Sequence, residues 1–326
     1  MIMLAALLRQ PMLPVVLLLA GLLLTAAPAM AAEISDGFES GRIDPKVWAP
    51  CPREENRFFI DDTMVRSGHY AAGMALLPGD AVPAAIPPVE AKRRRSGCLD
   101  TMPGAVFAPE RDQRAELWLQ PAEPNGTDRW FGFSFRIDEP VRTDGNRLII
   151  GQWKQSGSYS PILAQRFKNG AFHITVEQES PTPGQQCRVL VAWQDGYDFS
   201  DFPGYPSFLH GGEDTVGGRL PTDRRGDCSH GLTIDRKGPL PSPFGAWVDM
   251  VVHLRVAATP DDLIEIWADG KPVVTIRGPV GFRDGGAQYF KFGPYRDPSR
   301  NPLVVRFDDF SRGGSFAEVD PRRFDQ

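Results

Sequence analysis

Cysteine is scarce in this 326-residue chain: Cys51, Cys98, Cys187 and Cys228 are the whole set, and no two form a Cys-x-x-Cys pair. That argues against a structural zinc site or a thioredoxin-like dithiol. Long amphipathic helical patterns are also missing, and 31 Pro with 33 Gly leave little room for them. Gly-x-Ser-x-Gly, His-Glu-x-x-His and a phosphate loop do not occur. Nor does a paired-carboxylate strand of the Glu-x-Asp-x-x-Glu type used by sandwich glycoside hydrolases. There is no excess of positive charge. The formal net charge is −5, and removal of Arg9 would make it −6. A mildly acidic chain is a poor nucleic-acid binder, so any polyanion must meet a local cationic site. No internal repeat or low-complexity linker divides the chain, which reads as a single domain and a monomer.

The first residues read as a targeting segment. Arg9 is the only charge before Glu33, an apolar run covers 13–24, and Ala29-Met30-Ala31 fits a signal-peptidase site. The expected organisation is a signal peptide over 1–31 and a mature domain over 32–326, secreted or periplasmic, with no membrane span after cleavage. An even cysteine count in an exported chain suggests disulfides. Four cysteines allow three pairings; Cys51–Cys98 with Cys187–Cys228 is the nearest-neighbour choice. Each bridge would close a loop of more than forty residues, worth roughly 4 kcal/mol in the chain-entropy account.

Nearly everything that follows alternates like β-strand. Phe131, Phe133 and Phe135 oppose Gly132, Ser134 and Arg136, and Phe172, Ile174 and Val176 oppose His173, Thr175 and Glu177. Residues 248–256, 263–276 and 303–310 give further runs, and Asp269-Gly270 marks a hairpin inside the second. Many short strands with turn signals between them predict an all-β sandwich, a β-jelly roll. Two stretches are irregular: 78–109, with the basic run Lys92-Arg93-Arg94-Arg95, and 195–243, with His210 and His230. The basic run suits either a solvated loop or a docking point for polyanion. Asp308 and Asp309 are a place where a structural calcium could sit, although no loop spacing compels it. No other cofactor is expected.

Three segments carry polar residues on one face of a strand. Arg114, Glu116 and Trp118 oppose Ala115, Leu117 and Leu119. Gln152 and Lys154, with Ile150, oppose Ile149, Gly151 and Trp153. In Tyr289-Phe290-Lys291-Phe292-Gly293-Pro294-Tyr295, two phenols and an ammonium share a side opposite Phe290 and Phe292. Each set alone also suits an ordinary solvated sheet face. Side by side they would line a cationic, aromatic, donor-rich groove suited to an acidic polysaccharide. Arg296 beside Tyr295, and His173 on a nearby strand, extend the list of substrate-binding candidates, although His173 also suits a structural role.

The motifs Arg-Ala-Glu-Leu (114–117), Gly-Gln-Trp-Lys (151–154) and Tyr-Phe-Lys-Phe-Gly-Pro-Tyr (289–295) occur in the order seen in jelly-roll polysaccharide lyases. That group includes heparin lyase I, glucuronan lyases and jelly-roll alginate lyases. The resemblance spans about 36–312 and includes Asp36-Gly37-Phe38-Glu39-Ser40-Gly41 and the run from Trp247 through Lys271. It implies β-elimination at a 4-linked uronate, glucuronan- or heparin-like, leaving a 4,5-unsaturated end. It places Tyr295 as acid or base, and Arg114 and Gln152 as carboxylate neutralisers. Lys291 would tune or bind, and Glu116 would orient Arg114. Lys154 stands where the alginate lyases of this group carry histidine, which puts alginate specificity and a His/Tyr division of labour in doubt. A non-catalytic lectin-like domain and a sandwich-fold glycoside hydrolase are the other readings of the same fold.

Overall fold

Strand alternation becomes two antiparallel sheets in the computed structural model, which describes residues 32–51, 57–77, 113–138, 147–157, 159–180, 186–201, 214–215, 231–297 and 299–325. The chain divides into residues 1–30 and a compact unit over 31–326. The expected features at 92–95, His210 and His230 lie outside the described residues.

The first sheet contains, in spatial order, β12 (Asp214–Thr215), β13 (Thr233–Arg236), β16 (Lys271–Arg277), β15 (Leu263–Ala268), β14 (Val248–Arg255), β7 (Arg129–Ile137), β18 (Leu303–Gly313), β4 (Ala71–Leu76) and β3 (Phe58–Asp61), with β1 (Ile34–Asp36) on β18. The second runs β11 (Gln186–Trp193), β10 (Ala171–Glu179), β9 (Leu163–Lys168), β8 (Leu148–Gln155), β17 (Gln288–Arg296), β6 (Glu116–Leu119) and β2 (Trp48–Cys51), with β5 (Gln113–Arg114) on β17. This is the expected jelly-roll sandwich. The inner faces of both sheets feed one apolar core. Phe133 of the first sheet meets Phe290 of the second at 5.6 Å, and Phe131 meets Trp153 edge-on at 5.8 Å. Asp269 and Gly270 both take positive φ, +49° and +71°, which is the turn geometry that matches strand twist between β15 and β16.

Two of the register slips in the second sheet re-aim the strands around β8. The pairing of β17 with β8 slips between Phe292 and Tyr295, and that of β8 with β9 slips between Ile149 and Gly151. The second slip corrects the expected facing of β8. Leu148, Ile150 and Trp153 join the core, while Ile149 pairs with Tyr295 on the outer face.

The C-terminal segment lies on the outside of the first sheet. A single helical turn, α1 (Phe316–Val319), rests against β7, and a Cβ at Gly132 would come within 1.7 Å of the Val319 carbonyl oxygen. Phe316 sets its edge on Trp130 and Trp267, 6.1 and 5.3 Å away. Beyond the turn, Asp325 pairs with Arg66, which also pairs with Asp249 at 2.9 Å.

Asp308 and Asp309 on β18 are buried. Burial, then the neighbouring Asp309 carboxylate, pushes Asp308 up to about 7; burial pushes Asp309 up to about 6. A carboxyl raised above its unfolded value of 3.8 contributes stability below that value and loses it as pH rises through the folded value. In chelated buffer, the unfolding free energy of the wild type minus that of Asp308→Asn should therefore fall between about pH 4 and pH 7. Denaturant titrations across that range check it, and a flat difference would refute it.

Candidate active site

The outer face of the second sheet is built around one carboxylate. Glu116 pairs across the sheet with Cys51, and its side chain is fully buried. Its Oε2 forms an ion pair with Arg114 Nε at 3.0 Å and accepts from Lys291 Nζ at 3.1 Å, and its Oε1 accepts from Gln152 Nε2 at 2.5 Å. Four strands, β5, β6, β8 and β17, deliver these groups because Lys291 pairs with both Gln152 and Trp118, while Tyr295 pairs with Arg114. The alternation that buries Ala115 and Leu117 in the core turns Arg114 and Glu116 outward.

Tyr295 closes one end of this knot. The Arg114 guanidinium lies 4.2 Å from its ring centroid, that of Arg147 lies 4.5 Å away, and Lys291 Nζ lies 5.7 Å away. Tyr289 and Lys154, paired across β17 and β8, continue the face in the other direction. Trp118 sits between the two ends, 5.8 Å from the Tyr289 ring and 5.1 Å from Lys291 Nζ.

Burial sets the protonation of these groups. It lowers the Lys154 ammonium to about 8, with Arg114 adding to the effect. It pulls Lys291 well below the usual lysine range, and Glu116 works against that pull. Burial, then the Glu116 charge, drives the Tyr289 phenol well above its ordinary value. Tyr289 is therefore a hydrogen-bond donor, not a base.

Seven of the nine expected residues gather in this group: Arg114, Glu116, Gln152, Lys154, Tyr289, Lys291 and Tyr295. Two do not join them. Arg296 is buried, and its guanidinium donates to Gln113 Oε1 at 2.7 Å and to the Asn301 carbonyl at 2.5 Å. It anchors the end of β17. His173 lies two strands from β8, opposite Arg166, with its ring 4.8 Å from Tyr197. Burial, then Arg166, lowers it to about 3, so it is neutral at ordinary pH. It borders a second polar group in which Arg188 donates to Glu177 at 3.0 Å and Arg166 donates to Thr175 at 2.9 Å. That group and Arg147 escaped the sequence reading. Alternation in Arg166-Phe167-Lys168 and Glu177-Gln178-Glu179 was the available signal for the former. Arg147 precedes its strand and carries no periodic signal.

Cys51 and Cys187 are both disulfide-bonded, and their expected mates, Cys98 and Cys228, lie outside the described residues. No helix among the described residues is long and apolar enough to cross a membrane.

Comparison with known proteins bears on the fold and the family. No curated protein sequence matches the chain. Among solved structures, an endo-β-1,4-glucuronan lyase from the fungus Trichoderma reesei superposes with a TM-score of 0.54 at 15% identity, covering 89% of this chain and 99% of that one. The cellulose-induced protein Cip1 gives 0.46 at 15% identity over 87% and 98% of the two chains. Alginate lyase A1-II′, of polysaccharide lyase family 7, gives 0.43 at 10% over 86% and 98%. The model of the family described as "Polysaccharide lyase" matches residues 36–311, and the chain belongs to that family.

Proposed function

We propose that the protein cleaves a 4-linked polyuronate, glucuronan first, by β-elimination on the outer face of the second sheet. The observation that carries this is the convergence of Arg114, Gln152 and Lys291 on Glu116 beside a tyrosine flanked by guanidiniums. Glu116 is shared by Arg114, Gln152 and Lys291 and orients all three. Arg114 is oriented by Glu116 through Nε and, in this reading, its guanidinium meets the substrate carboxylate. Gln152 has a second amide N–H for the same purpose.

In this reading the substrate carboxylate docks against Arg114 and Gln152, which stabilise the charge that grows as the C5 proton leaves. Tyr295 takes that proton. The C5–H electron pair becomes the C4=C5 double bond, and the C4–O bond breaks. The departing oxygen then takes a proton from the phenol. Lys154 supplies a second positive charge where the resembling alginate lyases carry histidine. The glucuronan lyase neighbour supports the choice of first substrate. The apolar run at 13–24, Ala29-Met30-Ala31 and the disulfide-bonded cysteines support export.

The test is ultraviolet absorbance of the 32–326 chain with glucuronan, heparin-like and alginate polymers. A rise from unsaturated uronate supports elimination, and the responding polymer identifies the substrate. Binding without a rise would favour a lectin; new reducing ends without a rise would favour a hydrolase.

Lys154 adds a pH signature. Protonated below about 8, it should hold substrate there and release it above. We expect KM to rise by about tenfold per pH unit above 8 at most, and Lys154→Arg to remove that limb. An identical alkaline limb in Lys154→Arg would assign the titration elsewhere.

Calcium at Asp308 and Asp309 belongs to the same reading. Asp309 Oδ2 is buried with no hydrogen-bond partner, which suits a cation. Among the described residues no cluster of three or more His, Cys, Asp or Glu is placed for a metal, so backbone oxygens would have to complete the shell.

A further inference from the structure

We infer that Arg147 is a positioning residue for Tyr295: clamped by Asp297, it completes a pair of guanidiniums on the Tyr295 ring that fixes the phenol and favours its ionised form. This rests on the assignment of Tyr295 as the proton-transfer group. Three contacts define the clamp. The Arg147 side chain donates to Asp297 Oδ1 at 2.8 Å, and its backbone N–H donates to Asp297 Oδ2 at 3.0 Å. The Asp297 N–H donates back to the Arg147 carbonyl at 3.1 Å. The guanidinium then lies 4.5 Å from the Tyr295 centroid, where Arg114 already lies at 4.2 Å.

Geometry gives the clamp its purpose. Asp297 follows Tyr295 by two residues on the same chain, and Arg147 immediately precedes β8, the strand that carries Gln152 and Lys154. The contact therefore ties the two strands together next to the phenol. The electrostatic consequence follows from the ring. Deprotonation raises the electron density of a phenol, so a cation on its face is attracted more strongly to the phenolate than to the phenol. Among the described residues, the charged groups facing Tyr295 are Arg114 from β5, Arg147 from the segment before β8 and Lys291 from its own strand. Among their acidic partners, Glu116 binds Arg114 and Lys291, and Asp297 binds Arg147. The histidine of the resembling alginate lyases is absent here, and two guanidiniums on the tyrosine offer another route to a base at neutral pH.

The test reads Tyr295 itself, without substrate. Protein labelled with carbon-13 at the tyrosine ring is titrated by nuclear magnetic resonance, with Tyr295→Phe assigning the signal. Arg147→Met should move Tyr295 ionisation upward by about one pH unit, and Arg147→Lys by less, because charge is kept and the planar stack is lost. Against the responding polymer, kcat/KM of Arg147→Met at pH 7 should fall about tenfold and recover at higher pH. An unmoved Tyr295 titration in folded Arg147→Met would overturn the proposal. Should Arg147→Met fail to fold, Arg147→Lys decides in the same way, with an unmoved titration again counting against it. A shifted titration in a protein that makes no unsaturated product would leave the clamp standing and remove the lyase chemistry instead.

Discussion

Tyr295→Phe should abolish elimination almost completely, lowering kcat by roughly a thousandfold while leaving KM within about threefold of the wild type. The substitution removes one oxygen. The aromatic ring remains, so both guanidiniums at 4.2 and 4.5 Å keep their stacking surface and the face keeps its shape. What disappears is the only group here proposed both to accept the C5 proton and to protonate the leaving oxygen. Tyr289 cannot take over. Its phenol is held protonated by burial and by Glu116, and it pairs with Lys154 at the far end of the motif. The measurement is initial rate of double-bond formation at saturating polymer, with circular dichroism confirming the fold. Retention of more than a tenth of the wild-type kcat would move proton transfer to Lys154, whose ammonium burial lowers to about 8.

Glu116→Gln carries the second large effect, on stability and rate together. Volume and one acceptor oxygen are conserved; the charge is not. In the wild type this fully buried carboxylate holds Arg114 and Lys291 at 3.0 and 3.1 Å. Without it, two cations face each other on a poorly solvated surface. Removing one partner of a buried charge cluster costs about 3–5 kcal/mol. Lys291 can soften that cost by releasing its proton, since burial already pulls its ammonium well down. Denaturant unfolding of the variant reads the sum, and kcat/KM should fall at least about a hundredfold as Arg114 loses its orientation. A stability loss under about 1 kcal/mol would mean that Lys291 is already neutral and that the knot is held by ordinary hydrogen bonds.

The legible part of the molecule was whatever period two controls. Phe131, Phe133 and Phe135 alternate into the core as read, and so do Phe290 and Phe292. Polar residues opposite such runs had to gather somewhere, and Arg114, Glu116, Gln152 and Lys291 did. What the sequence withheld was strand adjacency and bulge position. Ile149 was assigned to the wrong face because one extra residue in β8 resets the alternation. Arg296 follows Tyr295 directly, and strict alternation sets it on the opposite side, where Gln113 and Asn301 hold it. The protonation of Lys154, Lys291 and His173 depends on burial, which no local pattern records. Arg147 belongs to the same class, since its meaning comes from a partner 150 positions away.

The segment over the first sheet bears on how the protein is made in the laboratory. A clone trimmed at Gly314 would look economical, because strand pairing ends at Gly313. It would also uncover Trp130 and Trp267, side by side with ring centroids 5.5 Å apart, and strip Asp325 from Arg66. An uncovered pair of indoles on a sheet face is a sticky patch, so such a clone should enter inclusion bodies while one carried through residue 325 stays in solution.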